Sequence, residues 1–237
     1  MRFELDNVGF SYTSKSALPR SVFTRLHLLI DSGECVAIIG EEGAGKSTLL
    51  QLLNGLLRPQ SGRVMVDGRD LWQEPSQTHL VRRRIGFAFQ FPEQQFFCET
   101  VRDELLFAAK NFRTDMGDEN CLAALSSVGL SAAFLSRSPF SLSMGEARRV
   151  ALASILVLDP DVFLLDEPTA GLDGFGMELV SSLLEQLRTK HKTLVFASHD
   201  RDLVERVATR TITLADGTVR ADLRVTPPGI KKGTAQE

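Results

Sequence analysis

Residues 40–47 read Gly40-Glu41-Glu42-Gly43-Ala44-Gly45-Lys46-Ser47, the pattern G-x-x-x-x-G-K-S. The apolar run Cys35-Val36-Ala37-Ile38-Ile39 before it predicts a buried strand, and Thr48-Leu49-Leu50-Gln51-Leu52-Leu53-Asn54 after it predicts a helix. Strand, glycine-rich loop and helix are the context that a phosphate-binding loop requires. The glycines permit backbone angles that a Cβ would block, so that successive N–H groups can point inward onto an anion. The helix N-terminus adds partial positive charge at the same point. Lys46 is then placed to reach β- and γ-phosphates, and the Ser47 hydroxyl to bind Mg²⁺. The stretch implies a nucleoside triphosphate and leaves open what its energy drives.

The 237 residues suit one large α/β domain or two small ones, with ample material for a core. Hydrophobic content of 43% and charged content of 24% are ordinary for a globular protein. The net charge of −3 argues against strong nonspecific nucleic-acid binding. Cys35, Cys98 and Cys121 are scattered and form neither a C-x-x-C pair nor a disulfide framework, which fits a reducing cytoplasm. Met1-Arg2-Phe3-Glu4 does not read as a signal peptide, and no apolar run approaches the roughly 20 residues of a membrane-spanning helix. A membrane role would need another chain to supply the membrane part.

Strands are expected over residues 3–10, 22–30, 63–66, 85–90, 162–165, 193–197, 212–214 and 218–221, with residues 13–20 as a polar loop. Helical spacing covers Val101 to Asn111, Asn120 to Val128, Glu146 to Leu158 and Gly176 to Lys190. Asp200 is a candidate N-cap for a short helix through Val207, and Asp216-Gly217 marks a hairpin. The expected organisation is a single α/β domain over residues 1–225 with a helical insertion at about 92–158. The remainder, residues 226–237, is expected to be a disordered tail.

A phosphate loop needs a second carboxylate site for Mg²⁺. Val162-Phe163-Leu164-Leu165 places Asp166 at the end of a core strand, and Glu167 follows at once. Alone, this pair would serve equally as a strand-end turn. With the loop upstream it divides into Asp166 for the metal and Glu167 for the attacking water.

Ser141-Leu142-Ser143-Met144-Gly145-Glu146-Ala147-Arg148-Arg149 resembles the ABC ATPase signature L-S-G-G-Q/E ahead of a helix. The resemblance runs to about residue 222, with the other family elements in order. It implies a P-loop NTPase fold with a mainly parallel sheet, an N-terminal antiparallel β part and a helical signature subdomain. Tyr12 matches the aromatic that stacks on adenine, residues 40–47 the Walker A loop, and Asp166 and Glu167 the Walker B pair. Gln90 matches the glutamine joining core and helical parts, Ala170-Gly171-Leu172-Asp173 the D-loop, and His199 the switch histidine. It therefore implies an ATPase in which Glu167, His199, Gln90 and Lys46 act catalytically. Tyr12, the loop Gly40, Glu41, Glu42, Gly43, Ala44, Gly45, Lys46 and Ser47, and Thr48 bind ATP; Ser47, Gln90 and Asp166 hold Mg²⁺. Ser143 and Gly145 are expected to contact the nucleotide of a second subunit, so that two ATP molecules are sandwiched between two chains. Met144 departs from the family glycine and adds bulk at that contact.

Phe89-Gln90-Phe91-Pro92-Glu93-Gln94-Gln95-Phe96-Phe97, followed by Glu99-Thr100-Val101, resembles the glutamine-loop region of the energy-coupling factor ATPases, the cobalt/nickel and vitamin importers. Phe91, Phe96 and Phe97 are either core of the helical part or a groove for a membrane partner's helix, and the groove is the expectation taken forward. The implied partners are a second ABC ATPase subunit, identical or not, a transmembrane coupling protein and a substrate-binding membrane component. The implied location is the cytoplasmic face of the membrane. A soluble ABC ATPase of repair, ribosome or cluster-assembly type is the alternative; the tandem domains, basic linker or long coiled coil of such proteins are not evident in the chain. The run Arg82-Arg83-Arg84 reads as a solvated face, and Trp72 as packing.

Overall fold

The computed structural model of the chain describes residues 1–14, 17–73, 75–112 and 115–227. It is built on two sheets. β1 (Phe3–Ser14), β2 (Ala17–Ile30), β4 (Ser61–Val66) and β5 (Arg69–Asp70) form an antiparallel sheet in the order β2-β1-β4-β5. β3 (Cys35–Ile39), β6 (Ile85–Ala88), β7 (Val162–Asp166), β8 (Thr193–Ala197), β9 (Arg210–Ala215) and β10 (Thr218–Arg224) form the second, in the order β10-β9-β3-β8-β7-β6. All its pairings are parallel except the β9–β10 hairpin.

The helices are α1 (Lys46–Leu53), α2 (Pro75–Arg82), α3 (Val101–Phe112), α4 (Asp118–Ser127), α5 (Met144–Leu156), α6 (Gly174–Thr189) and α7 (Arg201–Val207). The central strands read as unbroken apolar runs because both faces of the parallel sheet are covered. Alternate residues nevertheless part company. Cys35, Phe163, Leu165, Leu194 and Phe196 face a core shared with α3, α4, α5 and α6. Val36, Ile38, Leu164 and Val195 face one shared with α1 and the antiparallel sheet. Cys35 is fully buried there, and burial pushes its thiol up to about 12.

Several expectations are corrected. Residues 13–14 and 17–20 of the expected loop are strand: Tyr12 pairs with Arg20 and Ser14 with Ala17, carrying β1 and β2 outward, while 15–16 lie outside the described residues. The helix α2, short and poor in apolar residues, was not anticipated; Thr78 on it donates to the Leu71 carbonyl at 2.6 Å. α6 starts at Gly174 rather than Gly176, because the Asp173 side chain caps it by accepting from the Gly176 N–H at 2.8 Å. The arginine run is not merely solvated. Arg82 donates to the carbonyls of Asn54 and Gly55 at the end of α1, Arg83 to that of Phe112, and Arg84 pairs with Asp161. Val225 still donates to the Thr209 carbonyl, and Pro227 is buried. The rest of the expected tail, 228–237, lies outside the described residues.

Candidate functional site

The ends of β3 and β7 lie beside each other across β8, and the loops leaving them meet. Between them and the tip of the antiparallel sheet is a cleft of about 220 Å³ lined by Tyr12, Arg20, Val22, Glu42, Gly43, Gly45, Lys46, Ser47, Thr48, Gln90, Asp166, Glu167 and His199. Gly45 takes a φ of 98°, and a Cβ there would come within 2.7 Å of Val22 and 2.8 Å of Phe23, so only glycine lets the loop pass under the antiparallel sheet. Lys46 is buried. Its Nζ donates to the carbonyls of Gly40 at 2.8 Å and Glu41 at 3.0 Å and lies 3.1 Å from His199 Nε2. Tyr12 is exposed at the cleft rim, its hydroxyl 3.1 Å from Thr48 Oγ1 and its ring edge-on to Phe10 at 5.0 Å.

The two carboxylates sit side by side and differ in partners. Asp166, 5% exposed, accepts from the Ser47 hydroxyl; burial is the larger effect and raises its pKa. Glu167, 8% exposed, is also raised by burial, offset in part by the His199 N–H and imidazole and by Lys46. Its Oε2 accepts from the His199 N–H at 3.2 Å. Its Oε1 is 3.3 Å from His199 Nε2 and has no hydrogen-bond partner among the described residues. One ring nitrogen cannot accept from the Lys46 ammonium and donate to Glu167 at once, so Glu167 Oε1 is left as a buried acceptor beside the cleft. Glu167 also holds a left-handed φ of 49°, a strain of about 1–3 kcal/mol that the surroundings must impose.

Ser47 and Asp166 supply two oxygens where a Mg²⁺ would sit, with Gln90 at the rim. Mg²⁺ commonly takes one or two protein ligands and leaves the rest to phosphate and water, so this donor set fits it. Gly40, Glu41 and Ala44 shape the loop and do not line the cleft: the first two offer their carbonyls to Lys46, and the Ala44 N–H turns back to the Glu41 carbonyl at 3.2 Å.

Ser143 and Gly145 are not brought to this cleft. Ser143 is the N-cap of α5, and it forms a capping box with Glu146: its Oγ accepts from the Glu146 N–H at 3.3 Å, and its N–H donates to Glu146 at 2.8 Å. Met144 is exposed and lies over Gly171, where a Cβ would come within 2.7 Å of its sulfur.

Of the three aromatics beside Gln90, Phe96 is corrected. It is 7% exposed and packs in the helical core, whereas Phe91 and Phe97 are 46% and 58% exposed. The buried carboxylate of Glu104 accepts from the N–H groups of Phe97 at 3.1 Å and Cys98 at 2.9 Å, and Phe97 stacks edge-on against Phe107 at 4.2 Å. Two residues escaped sequence reading. Arg20 lies over Gly43, placed by its cross-strand pairing with Tyr12. Arg148 donates to the carbonyls of Glu167 at 2.6 Å and Gln90 at 2.7 Å. Arg20 stands in no spacing pattern, and Arg148, though inside the signature stretch, has partners that its position in the chain does not reveal.

A family model described as ABC transporter matches residues 23–170. The energy-coupling factor transporter ATP-binding protein EcfA2 of Thermotoga maritima is 42% identical over 219 residues, 92% of this chain and 80% of that protein. Among solved structures, a dimeric ATP-binding cassette in a post-hydrolysis state bound to ADP and Pi superposes with a TM-score of 0.84 at 30% identity, over 94% of this chain and 99% of that one. The cbiO1 protein of Clostridium perfringens, part of the ABC transporter complex cbiONQ, does so with a TM-score of 0.77 at 30% identity, over 94% and 88% of the two chains. The cleft therefore stands in the framework those proteins share, and the chain belongs to the ABC transporter family of ATP-binding proteins, where it resembles the energy-coupling factor ATPases.

Proposed function

We propose that the chain is the ATP-hydrolysing subunit of an energy-coupling factor type importer whose cargo is a vitamin or a transition-metal ion such as cobalt or nickel. One observation carries the chemistry: Tyr12, Lys46, Ser47, Gln90, Asp166, Glu167 and His199, scattered over the sequence, line a single cleft. Tyr12 would stack on the adenine. The loop N–H groups and Lys46 would hold the phosphates, a phosphate oxygen competing with His199 for the third Lys46 donor. Ser47, Asp166 and Gln90 would hold Mg²⁺, which neutralises charge on the phosphate oxygens when bound. Glu167 Oε1 orients and polarises the attacking water, and His199 steadies the γ-phosphate.

Ser143 and Gly145 lie away from this cleft, which supports a second ATP-binding chain completing it. Each charge-assisted phosphate contact of that kind contributes roughly 1.5–3 kcal/mol, so ATP would join the two chains and its hydrolysis would release them. Among the described residues no helix is long and apolar enough to cross a membrane. A transmembrane coupling protein and a substrate-binding membrane component complete the proposed importer. Phe91 and Phe97, exposed beside Gln90, are the surface offered to that partner on the cytoplasmic face.

The test is purification of the tagged chain from native membranes in mild detergent. A multi-span membrane protein should accompany the native chain and be lost from the Phe91→Ala/Phe97→Ala double variant with ATP affinity unchanged. Recovery of the chain with soluble partners only would favour a non-transport ABC ATPase instead.

A further inference from the structure

Arg148 lies five residues after the signature serine, on the buried side of α5. Its guanidinium reaches out of the helical part in two directions: Nη1 donates to the Glu167 carbonyl at 2.6 Å and Nη2 to the Gln90 carbonyl at 2.7 Å. One rigid, planar fork thus ties the signature helix to both the glutamine loop and the residue that bears the free carboxylate oxygen. The carbonyl it holds belongs to the Glu167–Pro168 peptide. Its direction fixes ψ of a residue already at a left-handed φ of 49°, and a pull on it displaces the Cα from which the side chain springs. The other ends of Glu167 are held by β8 and the segment after it: its N–H donates to the Ala197 carbonyl at 3.0 Å, and Oε2 accepts from the His199 N–H. The carbonyl itself also accepts from the Ala170 N–H at 3.2 Å, within the turn that follows Glu167, so that Arg148 adds to it a hold from the helical part.

We propose that Arg148 is a positioning residue, through which the placement of the signature helix and the glutamine loop is passed to the carboxylate of Glu167. The Arg148 side chain is not among those that line the cleft. A shift of α5 relative to the parallel sheet would pull on the Glu167 carbonyl and move Oε1, and a shift of the Gln90 segment would reach the same fork. Misplacement of a reacting group by about 1 Å costs on the order of 10²-fold in rate, so small movements suffice. The inference rests on the ATPase assignment of the cleft.

Arg148→Gln and Arg148→Lys are compared with the native full chain, each also in a Glu167→Gln background. The Gln variant should lower kcat for ATP hydrolysis about 10- to 100-fold while the Kd for MgATP changes less than about threefold. The Lys variant, with one donor able to reach one carbonyl, should recover part of that loss. In the Glu167→Gln background the same Arg148 changes should cost less than about twofold, since the group they position is gone. Native kcat in Arg148→Gln, a parallel loss of ATP affinity, or an equal loss in both backgrounds overturns the proposal. Should thermal melting show the Gln variant unfolded, the Lys variant carries the same comparison: intermediate kcat that vanishes as an effect in the second background supports it, and unchanged kcat overturns it. If Glu167→Gln alone leaves turnover intact, the site assignment itself has failed; if it abolishes turnover and Arg148 has no effect, only the positioning role falls.

Discussion

Glu167 carries the sharpest conflict between stability and chemistry. Burial holds its carboxyl above the ordinary glutamate value of 4.5, so the fold favours the protonated form. The stability this contributes is complete below that value and is lost as pH rises through the raised one, which leaves the ionised side chain a cost at neutral pH. Glu167→Gln should therefore raise the melting temperature by about 1–3 °C at pH 8, a gap that closes on acidification below the ordinary glutamate range. The same change should lower ATP turnover by on the order of 10²–10⁴, as removal of a general base does. Turnover of the native chain should begin to fall on acidification already above the ordinary glutamate range, because the general-base role proposed for Glu167 needs the ionised form. Asp166 and Glu167 were legible as a pair from the apolar run ahead of them. With the phosphate loop upstream their division into metal and water roles was legible too; which carboxylate oxygen stays unpaired was not, because that depends on where packing puts the His199 N–H and the Ser47 hydroxyl.

At the scale of elements, α5 and the segment before α3 decide what faces outward. The capping box of Ser143 and Glu146, reinforced by the Arg137–Glu146 pair at 2.9 Å, fixes where α5 begins. Ser143→Ala should cost about 0.5–2 kcal/mol, read from the urea midpoint, and should also weaken ATP-dependent dimerisation in sedimentation. Glu104 and the short turn over Pro92–Gln94 point neighbouring aromatics in opposite directions. Phe96→Ala removes core and should cost about 3–5 kcal/mol, against about 1 kcal/mol or less for Phe97→Ala, which loses one ring contact; chemical denaturation separates the two. The three phenylalanines look alike in sequence, since a non-periodic segment carries no face. Helical periodicity located α3 to α6 within a few residues, but α2 has too few apolar positions to show.

Over the whole molecule, two cores on opposite faces of one parallel sheet must move as a unit for the cleft to keep its shape. Arg210 joins the sheets: it donates to the Leu29 carbonyl of β2 at 2.8 Å, to Glu34 at 2.8 Å, and to Asp222 of β10 through two bonds of 2.7 Å. It is 13% exposed, and Arg210→Ala leaves Glu34 partly buried without it, so about 3 kcal/mol of stability should be lost. The loss should be largely resistant to salt, unlike that of an exposed pair, which denaturation at low and high ionic strength checks.

The sequence by itself determined the kind of protein. The phosphate loop, the strand ending in Asp166-Glu167 and the signature are local patterns, each readable because its chemistry is built from neighbours in the chain. The tertiary structure decided what those patterns share. Parallel pairing of β3, β8 and β7 brings residues 46, 167 and 199 together, the hairpin register brings Arg20 over Gly43, and helix packing carries Arg148 to Gln90 and Glu167. Such contacts join residues far apart in the chain through the geometry of packed elements, and no spacing along the chain records them.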